Sequence, residues 1–280
     1  TALRHSALAA GAALEIDTIR TIDGQIARGA RQDWTAETLF LASGKHDIRG
    51  QARPRTASDP ALGLRLRLTP SPALRAELDG AIELHLFKGG YAGIVLQEHG
   101  SANICIAVKK SVLSAHHGDP RRLLADLAAL HPRFGARLEA GWRDHPIETI
   151  GAVPYGWIAQ ITEPGFYRVG DQAAVIPSLA GEGMSIALAS GRLAADCWIE
   201  GGAGAAPAFQ REFARRAAAP LRVARAARAF AEAPALHRPM LFILDRIPGF
   251  AELLMERTRI RVAPYLAPVS LAAKTRANPA

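Results

Sequence analysis

The sequence predicts a mixed α/β protein, α+β overall. Strand–loop–helix segments at 1–55 and 150–200 flank an inserted antiparallel sheet at 56–149, and a helical region follows at 201–280. Three observations carry that expectation. Between Leu62 and Val108, apolar residues alternate with polar ones or glycine in short runs, the period of strands with one buried face. On either side, short apolar runs lead into glycine loops, the pattern of buried strands that feed helices. Beyond residue 200, arginines and apolar residues recur at near-helical spacing. The 280 residues, 49% hydrophobic and 21% charged, suffice for one large globular domain or two smaller ones.

In chain order, Ala2–Gly11 reads as the end of a helix closed by glycine. Ala13–Ile22 reads as a strand turned by Asp23-Gly24, and Thr38–Ala42 as a short buried strand ending in Ser43-Gly44. Residues 51–60, rich in Arg, Pro, Ser and Asp, read as a crossing between the two parts. Leu62, Leu64, Leu66 and Leu68 then alternate with Gly63, Arg65 and Arg67. Ile82, Leu84 and Leu86 repeat the pattern, which places them on the buried face and Glu83 and His85 on the other. Gly89-Gly90 turns the chain into Tyr91–Gln97, and His99-Gly100 turns it into Asn103–Val108, so adjacent antiparallel strands are the simplest connection. Asp119-Pro120 caps a helix carrying Leu123, Leu124, Leu127 and Leu130. A strand over Phe166–Val169, a Pro/Gly loop and a helix from Gly183 to Glu200 restore the first style; that helix spans about 27 Å at 1.5 Å per residue. Gly201–Pro207 is a glycine/alanine linker. Pro220, Pro234, Pro239, Pro248, Pro264 and Pro268 are expected to interrupt the helices after it.

Composition and patterning set several function classes aside. Residues 201–280 hold 13 Lys and Arg against 5 Asp and Glu, which accounts for the whole formal charge of +8. No aromatic-interleaved basic groove accompanies that excess, so nucleic-acid binding is not expected. The basic helical faces read as a solvated cover, with peripheral contact to an anionic membrane surface as the alternative. The longest apolar runs, Leu39–Ala42 and Leu241–Leu244, fall far short of a bilayer span, and no secretory signal is visible. Cys105 and Cys197 sit in apolar stretches, where buried reduced thiols and a cytoplasmic setting are expected. His99, His116, His117 and His131 have no carboxylate or thiolate at ligand spacing, so no metal site is expected. Serine-hydrolase chemistry has no Gly-x-Ser-x-Gly elbow to start from.

The informative stretch runs Gly170-Asp171-Gln172-Ala173-Ala174-Val175-Ile176-Pro177-Ser178-Leu179-Ala180-Gly181-Glu182-Gly183-Met184-Ser185. Asp171 sits just past the carboxyl end of a strand, where open α/β sheets place their ligands. Its carboxylate can accept a hydrogen bond from a ligand hydroxyl. Gly181 and Gly183 let backbone amides approach a ligand closely at the start of a helix. Those unpaired amides and the positive end of the helix dipole suit an anion, or a group that becomes anionic. Gly183, Ala187, Gly191 and Ala194 then place small residues along one helix face.

This stretch resembles the second cofactor motif of the FAD-dependent monooxygenase superfamily (aromatic-hydroxylase type), including its geranylgeranyl-reductase-like branch. The family motif runs Gly-Asp-Ala-Ala-His-x-x-Pro-Pro-x-x-Gly-x-Gly-x-Asn. The match falls on Gly170, Asp171, Ala173, Pro177, Gly181 and Gly183; Gln172, Ala174, Ser178 and Ser185 depart from it. The resemblance implies a partial Rossmann-like FAD-binding domain, with Asp171 on the ribityl chain. It also implies that the backbone of Gly181, Glu182, Gly183, Met184 and Ser185 surrounds the pyrimidine edge of the flavin. Leu39–Gly50 resembles the family strand that ends beside the pyrophosphate, which puts Gly44 at the cofactor. Ser43 stands where the hydroxylases carry an Asp tied to both cofactors, so the resemblance leans toward the reductase-like branch and leaves NAD(P)H as reductant open. Pro154-Tyr155-Gly156 resembles a turn of that branch and reads equally as a plain β-turn. The family's first motif, Gly-x-Gly-x-x-Gly after a strand, does not occur; Gly202–Pro207 follows a helix and is a linker. The chain opens on Thr1, and the resemblance implies a preceding dinucleotide-binding segment on the order of a hundred residues.

The expectation is an FAD-dependent oxidoreductase, a monooxygenase or a double-bond reductase, acting on a small apolar organic or isoprenoid-like substrate. Residues 62–108 would form the far wall of its pocket. Tyr91, Tyr155 and Trp157 read either as pocket lining or as core. No side chain stands out as general acid or base. The alternative is a non-catalytic relative that binds a partner or a membrane surface.

Overall fold

The computed structural model describes residues 2–260; Pro264 and Pro268, expected to interrupt helices, lie outside the described residues. An exposed helix α1 (Ala2–Ala9) precedes a small antiparallel sheet of β1 (Thr21–Asp23), β2 (Ile26–Arg28) and β3 (Asp33–Thr35), and then a short strand β4 (Leu39–Leu41). The turn at Asp23-Gly24 forms as expected, with Gly24 at φ +55°. The strand expected over Ala13–Ile22 does not form along its length, and ladder pairing begins only at Thr21. Strands exist only where a neighbour meets their N–H and C=O groups.

The middle of the chain comprises β5 (Ala61–Leu68), α2 (Pro72–Leu78), β6 (Ile82–Phe87), β7 (Gly90–Leu96), β8 (Ala102–Lys109), α3 (Lys110–Ala115), α4 (Pro120–Leu130), α5 (Pro132–Leu138) and β9 (Ile147–Val153). The five strands form one sheet in the order β6-β7-β8-β5-β9, each pair antiparallel. The register puts Leu64 opposite Ile106 and Leu66 opposite Ile104, so one face is a continuous apolar layer. Helices α2, α4 and α5 cover it with Leu74, Leu78, Leu123, Leu124, Leu127 and Phe134. Each such side chain contributes about 1.5–3 kcal/mol by leaving water. Ser71 and Asp119 cap α2 and α4, accepting from the N–H groups of Leu74 and Arg121.

Strand β6 reverses the expected facing. Ile82 and Leu84 are exposed, whereas Glu83 and His85 point toward the helices. Phe87 belongs to the helix-covered core, and period 2 then commits His85 and Glu83 to the same side. Their burial is offset by partners: Arg137 of α5 forks onto Glu83 at 2.7 and 2.8 Å, Glu83 also meets His85, and the His85 ring lies edge-on to Phe134. Alternation told the period of this strand but not its phase.

The remaining elements are β10 (Phe166–Arg168), α6 (Gly183–Gly201), α7 (Ala206–Ala231), α8 (Pro234–Arg246) and α9 (Phe250–Thr258). β10 pairs with β4 in parallel, Phe166 opposite Leu39 and Arg168 opposite Leu41. A second core joins Tyr167, Ile176, Ile186, Phe209, Phe213 and Leu221 beneath α6 and α7. Pro220 and Pro239 lie inside α7 and α8 and do not interrupt them, contrary to expectation. Pro220 is buried, flanked in α7 by the buried Ala217, Leu221 and Ala224, so packing offsets the one hydrogen bond that proline removes. Pro234 opens α8 in its first turn, and Pro248 falls between α8 and α9. The thiols also differ from expectation: Cys105 is exposed on the uncovered face of the sheet, and Cys197 is only partly buried. Among the described residues, no helix is long and apolar enough to cross a membrane.

Candidate functional site

Because β4 and β10 run parallel, their carboxyl ends deliver two loops to one place, the edge where open α/β sheets hold ligands. Past β4 comes Ser43–Asp47, with Gly44 at φ +62°; past β10 comes Gly170-Asp171-Gln172, with Gly170 at φ +60°. Three side chains bind the loops together. Gln172, fully buried, donates through Nε2 to the carbonyls of Gly44 (2.9 Å) and His46 (3.0 Å). Arg53, 3% exposed, donates to Asp47 Oδ1 (2.7 Å), the Lys45 carbonyl (2.6 Å) and the Asp171 carbonyl (2.9 Å). Lys45 Nζ stands 3.3 Å from Asp171 Oδ2. Burial alone would raise the Asp47 carboxyl, but the Arg53 guanidinium holds it below the ordinary value.

The same loop meets α6. Gly170 N–H donates to Ser190 Oγ at 2.7 Å, and a Cβ on Gly170 would lie 3.7 Å from that of Ala187. Gly183 lies one turn before Ala187 on the same helix face, about 6 Å along the axis. The turn into α6 passes through Pro177, which is buried, and Gly181, left-handed at φ +70°. Among the described residues, no side chain caps the first turn of α6, so its leading N–H groups are available to a ligand. Among the described residues, a Cβ on Gly44, Gly181 or Gly183 would meet nothing within 4 Å, so those residues leave space over all three backbones. Met184 is 79% exposed, Ser185 is half-buried, and Glu182 is buried with Oε1 accepting from Arg259 Nε (3.1 Å) while Oε2 has no partner among the described residues.

Ser178, one of the departures from the family motif, ties this loop to the sheet. Its Oγ hydrogen-bonds the Tyr91 hydroxyl (2.6 Å) and the Tyr155 hydroxyl (2.8 Å). Tyr91 is buried, and burial together with the neighbouring Tyr155 pushes its phenol well above the ordinary range. Pro154-Tyr155-Gly156 forms a β-turn, Trp157 N–H donating to the Pro154 carbonyl, and the Arg228 guanidinium covers the Tyr155 ring at 4.8 Å.

The structure therefore brings Gly44, Gly170 and Asp171 into one cluster and sets the Gly181–Ser185 turn one helical turn away. Sequence reasoning missed Arg53, Ser190 and the clamping role of Gln172. Only Ser190, a polar residue at helical spacing from the apolar Ile186 and Ala194, left a signal. A concavity of about 1060 Å³ lies near Gly80, Ile82 and Val95, at the opposite end of the sheet from Tyr91 and away from this cluster.

No family model and no curated protein matches the sequence. Solved structures do match. The flavin-dependent brominase Bmp2 superposes with TM-score 0.65 at 12% identity, over 92% of this chain and 68% of that one. Klebsiella pneumoniae HpxO, complexed with FAD and uric acid, gives 0.63 at 13% identity, over 86% and 64%. PqsL of Pseudomonas aeruginosa, described as a probable FAD-dependent monooxygenase, gives 0.52 at 14% identity, over 81% and 66%. The chain thus shares the fold of these proteins across about two thirds of their length.

Proposed function

We propose that this chain is an FAD-dependent oxidoreductase of the monooxygenase type, with Gly44, Gly170, Asp171, Pro177 and Gly181–Ser185 as its part of the flavin site. One observation carries the reading: two glycine loops converge at the carboxyl ends of parallel β4 and β10, beside the uncapped start of α6. The shared fold with proteins described as flavin-dependent supports it.

The residues fit such a group. Among the described residues, space over Gly44, Gly181 and Gly183 lets a ligand reach the backbone, and the partly exposed Asp171 carboxylate has only a loose ion pair to Lys45. Asp171 would accept from a ribityl hydroxyl, and the leading N–H groups of α6 would face the pyrimidine edge, where they stabilise negative charge. FAD, when bound, supplies the redox chemistry. Arg53 and Gln172 fix the two loops so that Asp171 and Gly44 hold their positions without reorganising. On the sheet face that the helices leave uncovered, Leu84 and Cys105 offer surface suited to a small apolar organic or isoprenoid-like substrate and to excluding water. Ser43 in place of an acidic residue favours the geranylgeranyl-reductase-like branch, with NAD(P)H as a candidate reductant. A cytoplasmic setting completes the proposal.

Titration of FAD with the protein, at concentrations high enough to register the weak binding expected of its part of the site alone, tests it. Binding is expected to quench flavin fluorescence and sharpen the visible flavin band. Asp171→Ala is expected to weaken it by about 1–3 kcal/mol, the range for losing a charged hydrogen-bond partner. A flavin spectrum that excess protein leaves unchanged overturns the proposal.

A further inference from the structure

Between the crossing segment 54–61, the turn 152–157 and α7 lies a cavity of about 380 Å³, toward the small end of ligand pockets at about 300–1,000 Å³. Its walls carry Arg55, Arg225 and Arg228 against a single carboxylate, Asp59. Both Asp59 oxygens are already engaged, by the N–H (2.9 Å) and the hydroxyl (2.6 Å) of Ser111. Arg228 is likewise committed, to Glu232 and to the face of Tyr155. Arg55 reaches Asp47 only at 3.5 Å, and that carboxylate is shared with Arg53. Arg225 meets no carboxylate among the described residues, and its stem lies against Gly156, where a Cβ would come within 2.5 Å of its Cδ. Gly156, at φ +87°, is therefore the residue that lets Arg225 lie along this wall. Two guanidiniums with unspent donors thus border a cavity whose other walls include Tyr155, Trp157, prolines and small aliphatic residues.

We infer that this cavity binds a small organic oxyanion, a carboxylate or phosphate carried on a planar ring. The planar fork of arginine pairs with either group through two parallel hydrogen bonds, and the aromatic and proline walls accept the ring. The site adjoins the loop cluster through two residues. Trp157 lies beneath Arg53 at 5.9 Å, and Asp47 is common to Arg53 and Arg55. The inference does not depend on flavin, because it is measured on the flavin-free chain.

Calorimetric titration of the whole chain with benzoate, phenyl phosphate and neutral benzamide is the test. At least one anion is expected to bind saturably at a single site, and benzamide at the same concentrations is not. The tighter of the two anions tells carboxylate from phosphate. Arg225→Gln is expected to weaken binding at least tenfold with an unchanged melting temperature, while Arg222→Gln, exposed on the same helix, leaves binding intact. If Arg225→Gln fails to fold, Arg55→Gln, on an exposed loop side chain, decides in its place. Absence of saturable binding by both anions, equal binding of benzamide, or full affinity in the decisive arginine variant overturns the inference.

Discussion

Arg53→Met removes the clamp on which the site geometry rests. The guanidinium is 3% exposed and has three partners: the Asp47 carboxylate and the carbonyls of Lys45 and Asp171. Methionine keeps much of the volume, so little of the expected loss is cavity formation. What remains is a carboxylate with 12% side-chain exposure, held by the backbone N–H of residue 53 at 3.4 Å and by Arg55 at 3.5 Å, plus two carbonyls without that donor. Removing one partner of a buried ion pair costs about 3–5 kcal/mol. At about 2–4 °C per kcal/mol for a protein near this size, the melting temperature should fall by about 6–20 °C. The deficit should also depend on pH. Asp47 is held below its ordinary value in the folded protein, so its contribution is present above the unfolded carboxyl value of about 3.9 and is lost as pH falls through the lower folded value. Thermal melting by circular dichroism at pH 7 and again below pH 4 measures both effects. A variant within about 1 kcal/mol of the parent at pH 7, or a deficit that does not shrink in acid, refutes the reasoning.

Ser178→Ala leaves the Tyr91 and Tyr155 hydroxyls without their shared partner and should cost about 1–3 kcal/mol in urea unfolding. Combined with Tyr91→Phe the loss should be less than the sum, and strict additivity would show that the bond carries no energy. Arg137→Met strips Glu83 and Glu77 of their common partner and should cost about 1.5–3 kcal/mol at pH 7. Arg137 holds the Glu83 carboxyl low despite burial, so this contribution fades as pH drops below about 4.3; a pH-independent deficit would count against it. Helix α7 buries Phe209, Phe213 and Leu221 in its own core, so the basic face bearing Arg211, Arg215 and Arg222 should leave the protein in the supernatant with anionic liposomes. Salt-sensitive co-sedimentation, abolished when those arginines become Gln, would establish the membrane role instead.

Local chemistry made much of the molecule legible in the sequence. Alternation located β5, the glycine turns located β7 and β8, Asp119-Pro120 located the start of α4, and Gly170-Asp171 with Gly181 and Gly183 located a loop that the described residues leave open. Such features depend on residues near one another in the chain, so a window of the sequence contains their cause. The facing of β6 was different. It is settled by Phe87 packing under the helices and by Arg137, 54 positions beyond Glu83, and no period-2 pattern encodes which side a sheet will cover. Pro220 likewise reads as a break until the core around it is known, because packing offsets what the backbone loses. In the site, the sequence alone determined which glycines and which carboxylate are available. Tertiary structure decided that Arg53, Gln172 and Ser178 hold them, because β4 and β10 pair across more than a hundred residues and only that pairing brings the two loops within hydrogen-bond reach.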